Sequence, residues 1–341
     1  VTLSAEAGGQ TSVTFSLLGL IPVHETRVNV VEARRLIPGG QAVGVALKTR
    51  GVLVVSDSAK GRLLRAGDVI LSANGETVES AKTLGAVIGG AQSDTVRLEV
   101  MRGGQTITVE TAASVDAADG RRKLGVWVRD STAGIGTLTF FDPESQVFGG
   151  LGHAVCDVDT GEILPISSGE IVPARIYSVV KGAVGTPGEL RGGFEAGSLG
   201  SLRTNGETGI YGELSTAPAD GQAVPVAMKQ QVHTGQAQVL TTIHGTTPKL
   251  YDIRIDQVRY NDSAPTRNMV IVITDEELLE QTGGIVQGMS GSPILQDGML
   301  VGAVTHVFVN DPTKGFAIFA ENMLKTMDSV AQSLEQQQGA A

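Results

Sequence analysis

Cysteine is almost absent from this chain: Cys156 is the only one in 341 residues. A single thiol excludes an internal disulfide and a cysteine-rich zinc site. It leaves the compartment open, because an exported bacterial protein can do without cysteine. Aromatic residues are scarce, at 4%. Long apolar runs are missing as well. The best, Phe15 to Val23 (FSLLGLIPV), contains Pro22 and reaches only about half of the ~18–20 residues that span a bilayer. No long basic run exists, and Lys+Arg 26 against Asp+Glu 36 leaves a formal net charge of −10. Phosphate contact needs clustered cations, so nucleic acid is not an expected partner. The chain starts at Val1 rather than Met, which is compatible with a signal or anchor removed upstream.

What is present suits a core made of strands. Apolar residues are 41% and charged residues 18%, the balance of a globular chain, and the length suggests two domains. The 45 glycines, with many Val, Ile and Thr, point to short strands and tight turns. Residues 1–35 read as an N-terminal extension with apolar stretches at Val13 to Val23 and Val28 to Val31. Residues 36–115 read as a module. Its strands are Val43 to Leu47, Val52 to Val55, Val96 to Val100 and Thr106 to Val109, and the stretch Leu64 to Leu71 turns into another. A short helix is expected from Ser58 to Leu64, an Asn-Gly turn at Asn74-Gly75, and a helix from Ser80 to Ile88 with Leu84, Val87 and Ile88 on one face. This order and the words GRLLRAGDVILSANGETV resemble a PDZ domain. The resemblance implies a peptide-carboxylate loop near Pro38 to Val45, with Gly40, Val43, Gly44 and Val45 at the peptide. Glycines there let backbone N–H groups converge on a carboxylate, and a strand edge takes an added strand.

Residues 111–123 are small and polar and read as a linker. The region 116–341 follows. From Leu124 to about Phe319, short strand-like runs alternate with turn residues, the pattern of a sandwich or barrel. Ala320 to Gln337 carries Met323, Leu324, Met327, Val330 and Leu334 at helical spacing, a terminal amphipathic helix.

The sharpest chemical word is Gly288-Met289-Ser290-Gly291-Ser292-Pro293, before a hairpin. It resembles the nucleophile loop of chymotrypsin-like serine proteases, in which the N–H groups of Gly288 and Ser290 would face the developing oxyanion. A serine hydroxyl needs a base. Five histidines are present: His24, His153, His233, His244 and His306. His153 follows a glycine-rich turn (Gly149-Gly150-Leu151-Gly152), a place that exposes a ring in a cleft. His306, with Thr305, lies on the strand after the nucleophile hairpin, where lining the substrate pocket is as good a reading as a base. The carboxylate that would orient the base has four candidates, Asp142, Asp157, Asp159 and Asp275. Asp275 also stands where it would cap a short helix from Glu276 to Glu280. His153, Cys156, Asp157 and Asp159 match no compact zinc spacing, and neither metal nor cofactor is expected.

Longer words decide the resemblance. LLGLIPV, LIPGGQAVGVALKTRGVLVV, GGLGHAVCDVDTG, VITDEELLEQTGGIVQGMSGSPILQDG and VGAVTHVFVNDPTKGFAIF run from Leu17 to Phe319. They are similar to the stage IV sporulation protein B serine peptidases of endospore-forming bacteria. The resemblance implies a mainly β fold: a PDZ domain, then a chymotrypsin-like double β-barrel with a C-terminal helix. It implies a triad of His153, Asp275 and Ser290 and self-cleavage. The implied enzyme is exported from the forespore to the intermembrane space, membrane-anchored or released after N-terminal processing. There it would cut a membrane-bound regulator of an intramembrane protease, leading to activation of a late sigma factor. A peptide or C-terminal segment would sit in the PDZ groove. Two other readings remain: a PDZ-led scaffold with an inactive peptidase-like domain, and a broad quality-control protease.

Overall fold

Strands in this chain alternate as a half-buried sheet requires. Thr95–Arg102 (TVRLEVMR) buries Val96, Leu98 and Val100 and turns the residues between them outward. The computed structural model describes residues 9–18, 20–30, 33–56, 63–215, 221–261 and 263–338. It divides into two compact units, Val1–Arg35 and Leu36–Ala341. Within the first, Gly9–Leu17 and Ile21–Val30 form an antiparallel hairpin. The helix expected from Ser58 to Leu64 lies, up to residue 62, outside the described residues.

The PDZ-like module is built on the sheet Val52-Leu53, Val69–Ala73, Thr95–Arg102 and Gln105–Ala112. Asn74 and Gly75 both have positive φ, 50° and 85°, as the expected tight turn demands. Helix α1 (Ala81–Gly90) starts where the Ser80 hydroxyl accepts the Thr83 N–H at 3.0 Å. It buries Leu84 and Ile88 against Val52, Ile70, Leu98 and Val100.

The 13-residue strand Ala42–Val54 belongs to two structures at once. Its end carries the PDZ-like sheet. Its beginning pairs with Val128–Phe141 on one edge and with Ile166–Val180 on the other. From there the ladder runs through Gly200–Gly206, Gly209–Leu214 and Val147–Gly150 and returns to Val128–Phe141. These six strands make a ring around Val45, Leu47, Leu138, Phe148, Ile171, Leu202 and Ile210. The PDZ-like module is therefore an excursion between two neighbouring strands of this ring. Ala42 to Thr49 thus pair within the ring before the chain enters the module.

A closed barrel of six strands follows: Gly235–Thr241, Lys249–Val258, Met269–Ile273, Asp311–Phe319, Met299–Phe308 and Pro293–Gln296. Val239, Ile253, Ile255, Ile271, Val301 and Ala317 fill it. Helix α2 (Glu276–Thr282) is inserted after Ile273 and stops at Gly283 in the left-handed region, φ 72°. Helix α3 (Ala320–Gln338) lays Met323, Met327 and Val330 on Phe140, Tyr211 and Ile318. The mainly β architecture with a terminal helix is the one expected.

Candidate active site

Two glycine-rich turns, one from each barrel, meet at a cleft. The first follows Val147–Gly150. Leu151 and Gly152 both have positive φ, 67° and 69°, which reverses the chain and delivers His153. The second precedes Pro293–Gln296 and carries Ser290. Strand Val128–Phe141 ties them together. The Thr137 N–H donates to the Ser290 carbonyl at 3.1 Å, the Thr137 hydroxyl to the Gly288 carbonyl at 2.8 Å, and the Leu151 N–H to the Thr137 carbonyl at 3.2 Å. Gly291 is needed at this junction. Its φ is 92°, and a Cβ there would stand against the backbone of Thr137 and Leu151.

The cleft has a volume of about 400 Å³ and is lined by both turns. His153, Cys156, Gly288, Ser290, Thr305 and His306 lie in its wall, with Val45, Ile135, Leu151, Ile285, Val286 and Val307. Among the described residues its lining contains no carboxylate. The Ser290 hydroxyl donates to the Thr305 carbonyl at 2.9 Å. The carbonyls of Gly288 and Ser290 are engaged by Thr137, whereas their N–H groups have no partner among the described residues.

His153 Nδ1 lies 2.8 Å from the Ala154 carbonyl. A carbonyl only accepts, so the neutral ring carries its proton on Nδ1 and leaves the Nε2 lone pair free. Burial holds this imidazole below its usual range, and the Ala154 bond opposes that in part. The His306 ring centroid is 5.1 Å from that of His153, with the planes 37° apart. Burial, then the neighbouring His153 and Arg267, push His306 down to about 4. Burial also raises the Cys156 thiol, with Glu162 adding to the effect.

Sequence reasoning placed Ser290, His153, Gly288, Thr305 and His306 near one another, and all five line the cleft. Asp275 does not. Its Oδ1 accepts the Leu278 N–H at 2.9 Å and its Oδ2 the Asp252 N–H at 3.3 Å, so the carboxylate caps α2. The local signal is the same for a cap and a triad acid: an aspartate at a strand end.

The peptide loop expected at Gly40, Val43, Gly44 and Val45 also needs correction. The Gly40 N–H donates to the Leu138 carbonyl at 2.8 Å. Val43, Gly44 and Val45 are paired on both edges, with Gly134 to Gly136 on one side and Ile171 to Pro173 on the other. No edge is left for an added strand, and Val45 lines the Ser290 cleft instead. The open groove of the PDZ-like module is elsewhere. It lies between α1 and residues Arg121 to Val126, with Val128, and is rimmed by Lys82, Asp119, Arg121, Arg122 and Lys123. Sequence reasoning took Leu124 to Val128 as a plain strand. The signal it passed over was Gly125, with φ 67°, between apolar residues and after three cations.

The family model described as SpoIVB peptidase S55 matches residues 120–324, and that of the PDZ domain matches residues 29–112. No curated protein matches the chain.

Proposed function

This chain belongs to the SpoIVB peptidase S55 family, and from that premise we propose that it is an endopeptidase with Ser290 as nucleophile and His153 as general base. The observation that carries the reading is the shared cleft, to which two turns far apart in sequence bring the hydroxyl and the imidazole. His153 Nε2 takes the Ser290 proton as Oγ bonds to the substrate carbonyl carbon. The carbonyl oxygen gains the charge, and the Gly288 and Ser290 N–H groups receive it. His153 returns the proton to the amine as the C–N bond breaks. Water, deprotonated by the same imidazole, then releases the acyl group and restores Ser290.

An active-site fluorophosphonate and a casein digest test this. Ser290→Ala should abolish labelling, and both Ser290→Ala and His153→Ala should lower turnover by about 10³-fold or more. Full activity in either variant removes the assignment. That no carboxylate lines the cleft among the described residues favours a second reading, an inactive peptidase-like scaffold. A folded wild-type chain that neither labels nor cleaves would establish it.

The substrate we propose is a membrane-bound regulator of an intramembrane protease, cut between the forespore and mother-cell membranes, with a late sigma factor activated downstream. The family match supports this. Cleavage of such a regulator's exposed domain by the wild type but not by Ser290→Ala is the expected result; a regulator left intact by both argues against it. A peptide carboxylate is assigned to the groove between α1 and Arg121 to Val126, because its floor is apolar and its rim carries Lys82, Arg121, Arg122 and Lys123 beside one carboxylate, Asp119, which is paired with Lys123. Trp127, the only tryptophan, is adjacent in sequence and exposed, so peptide binding should change its fluorescence, and Lys82→Glu with Arg121→Glu should weaken the response.

A further inference from the structure

The N-terminal hairpin serves neither the cleft nor the groove. Its strands pair from Gly9 with Val30 to Leu17 with Ile21, and residues 14–18 and 20–25 are all exposed. At the closed end stand Phe15, Leu17, Leu18, Leu20, Ile21 and Val23, with Leu18 89% and Leu20 85% exposed. Folded chains rarely gather large apolar side chains on a free surface without a use for them. No residue from Ala7 to Val23 is charged. Charge begins at Glu25 and Arg27, which stand across the hairpin from Thr14 and Ser12, behind the apolar end. The turn points the same way. Leu18 has φ 52°, close to the 50° of Asn74 at the tight turn of the PDZ-like module. Asparagine tolerates left-handed backbone, whereas a leucine there is strained. An exposed leucine thus holds a position that local preference gives to asparagine or glycine, and strain of this kind marks a side chain in use.

We propose that this tip is a membrane-binding element that inserts into one leaflet of a lipid bilayer. The inference goes beyond the peptidase reading and does not depend on it. The stretch is too short to cross a bilayer but has the right depth to dip into one. From Phe15 to Leu18 is three residue steps, about 10 Å at ~3.3 Å each, and interfacial segments bury their apolar side by about 5–10 Å. Hydrocarbon offers no hydrogen bonds, so an inserted backbone must pair with itself. The ladder does this, and the Leu20 N–H donates to the Leu17 carbonyl at 3.1 Å across the turn. The Phe15 ring, 6.2 Å from that of His24, stands at the level where polar side chains begin. Six apolar side chains are too few for a stable contact with a second copy, which takes about 20–30 residues a side. The tip is exposed on both faces, so a folded partner would need to enclose it, whereas fluid hydrocarbon closes around it. The net charge of −10 opposes an anionic surface, so the attraction is hydrophobic and zwitterionic lipid suffices.

The test is sedimentation of the full chain with phosphatidylcholine vesicles at 0.05 and 0.5 M salt (about 16-fold to 2-fold below and above the physiological ~0.15 M), with a thermal melt to confirm folding. The wild type should partition with a constant on the order of 10⁴ M⁻¹, as a single myristoyl chain does, and change less than about twofold with salt. Leu18→Asn suits the left-handed turn, so it keeps the hairpin and should weaken binding about tenfold; Leu18→Asp with Leu20→Asp should weaken it about a hundredfold. Val158→Asp, at an exposed apolar residue outside the hairpin, should bind as the wild type does. Variants that sediment like the wild type, a wild type that stays in solution, or binding that needs anionic lipid and is lost in high salt would each overturn the proposal. So would a dimer seen in analytical ultracentrifugation that Leu18→Asn dissolves, because a second copy would then cover the tip. Fluorophosphonate labelling of Ser290 reports separately on the peptidase reading.

Discussion

Gly291→Ala is the substitution that most directly tests how the cleft is assembled. Gly291 has φ 92°, and its backbone N–H donates to the Val304 carbonyl at 2.8 Å, so the loop cannot turn away freely. A Cβ at this position would lie 2.8 Å from the Leu151 Cα and closer still to the Leu151 nitrogen and the Thr137 oxygen, all backbone atoms. Left-handed backbone costs a non-glycine residue about 1–2 kcal/mol. Overpacking against atoms that cannot rotate aside adds about 1–3 kcal/mol. The sum, about 2–5 kcal/mol, is relieved by separating the Ser290 turn from the His153 turn. A misplacement of about 1 Å between reacting groups costs about a hundredfold in rate. The control is Gly298→Ala. There φ is 76° and no atom lies within 4 Å of the added carbon, so the strain appears without displacing the cleft. Urea denaturation and turnover of a peptide substrate should show both variants destabilised, and only Gly291→Ala slowed about a hundredfold. A Gly291→Ala enzyme that keeps turnover within a few-fold of wild type would refute the argument that these two turns are held in register by backbone contact.

Asp275→Ala should cost about 1 kcal/mol in chemical denaturation, the usual value of a helix cap, and leave kcat unchanged; a loss of several powers of ten in kcat would return Asp275 to the catalytic group. Burial holds His153 below 6.5, and the neutral ring is the active form, so kcat/KM should rise with pH through a value below 6.5. The same sign governs stability: below pH 6.5 the unfolded chain binds a proton that the folded chain resists, so the urea midpoint should fall as pH drops from 7.5 to 5. In the PDZ-like module, Arg102 makes two hydrogen bonds to the buried Asp68, at 2.6 and 2.7 Å. Arg102→Met leaves that buried carboxylate without its cation, the Arg65 N–H still bonded to Oδ2 at 2.8 Å, and should destabilise the chain by about 3 kcal/mol, read from urea denaturation.

Much of the candidate site was legible because its signals are local. Gly288-Met289-Ser290-Gly291 and Leu151-Gly152-His153 announce tight turns through glycine, and a turn is where a reactive side chain is exposed. The Asn74-Gly75 turn and the apolar stripe of α3 are read the same way, from neighbours within a few residues. The acid was not legible, since Asp275 at a strand end fits a cap and a triad equally. His306 was legible as a cleft residue, but its contact with His153 depends on how two barrels pack.

Residue order by itself determined the strands, the turns and the two candidate side chains Ser290 and His153, because each follows from backbone preference and spacing over a short span. Tertiary structure alone decided that Ala42–Val54 joins the ring to the PDZ-like module, which closed the expected peptide edge at Gly44 and opened a groove beside α1. It also decided that Asp275 turns to α2 while His306 turns to His153. Strand pairing and side-chain company are settled by contacts between segments far apart in the chain, and the energies that select them arise only when those segments meet.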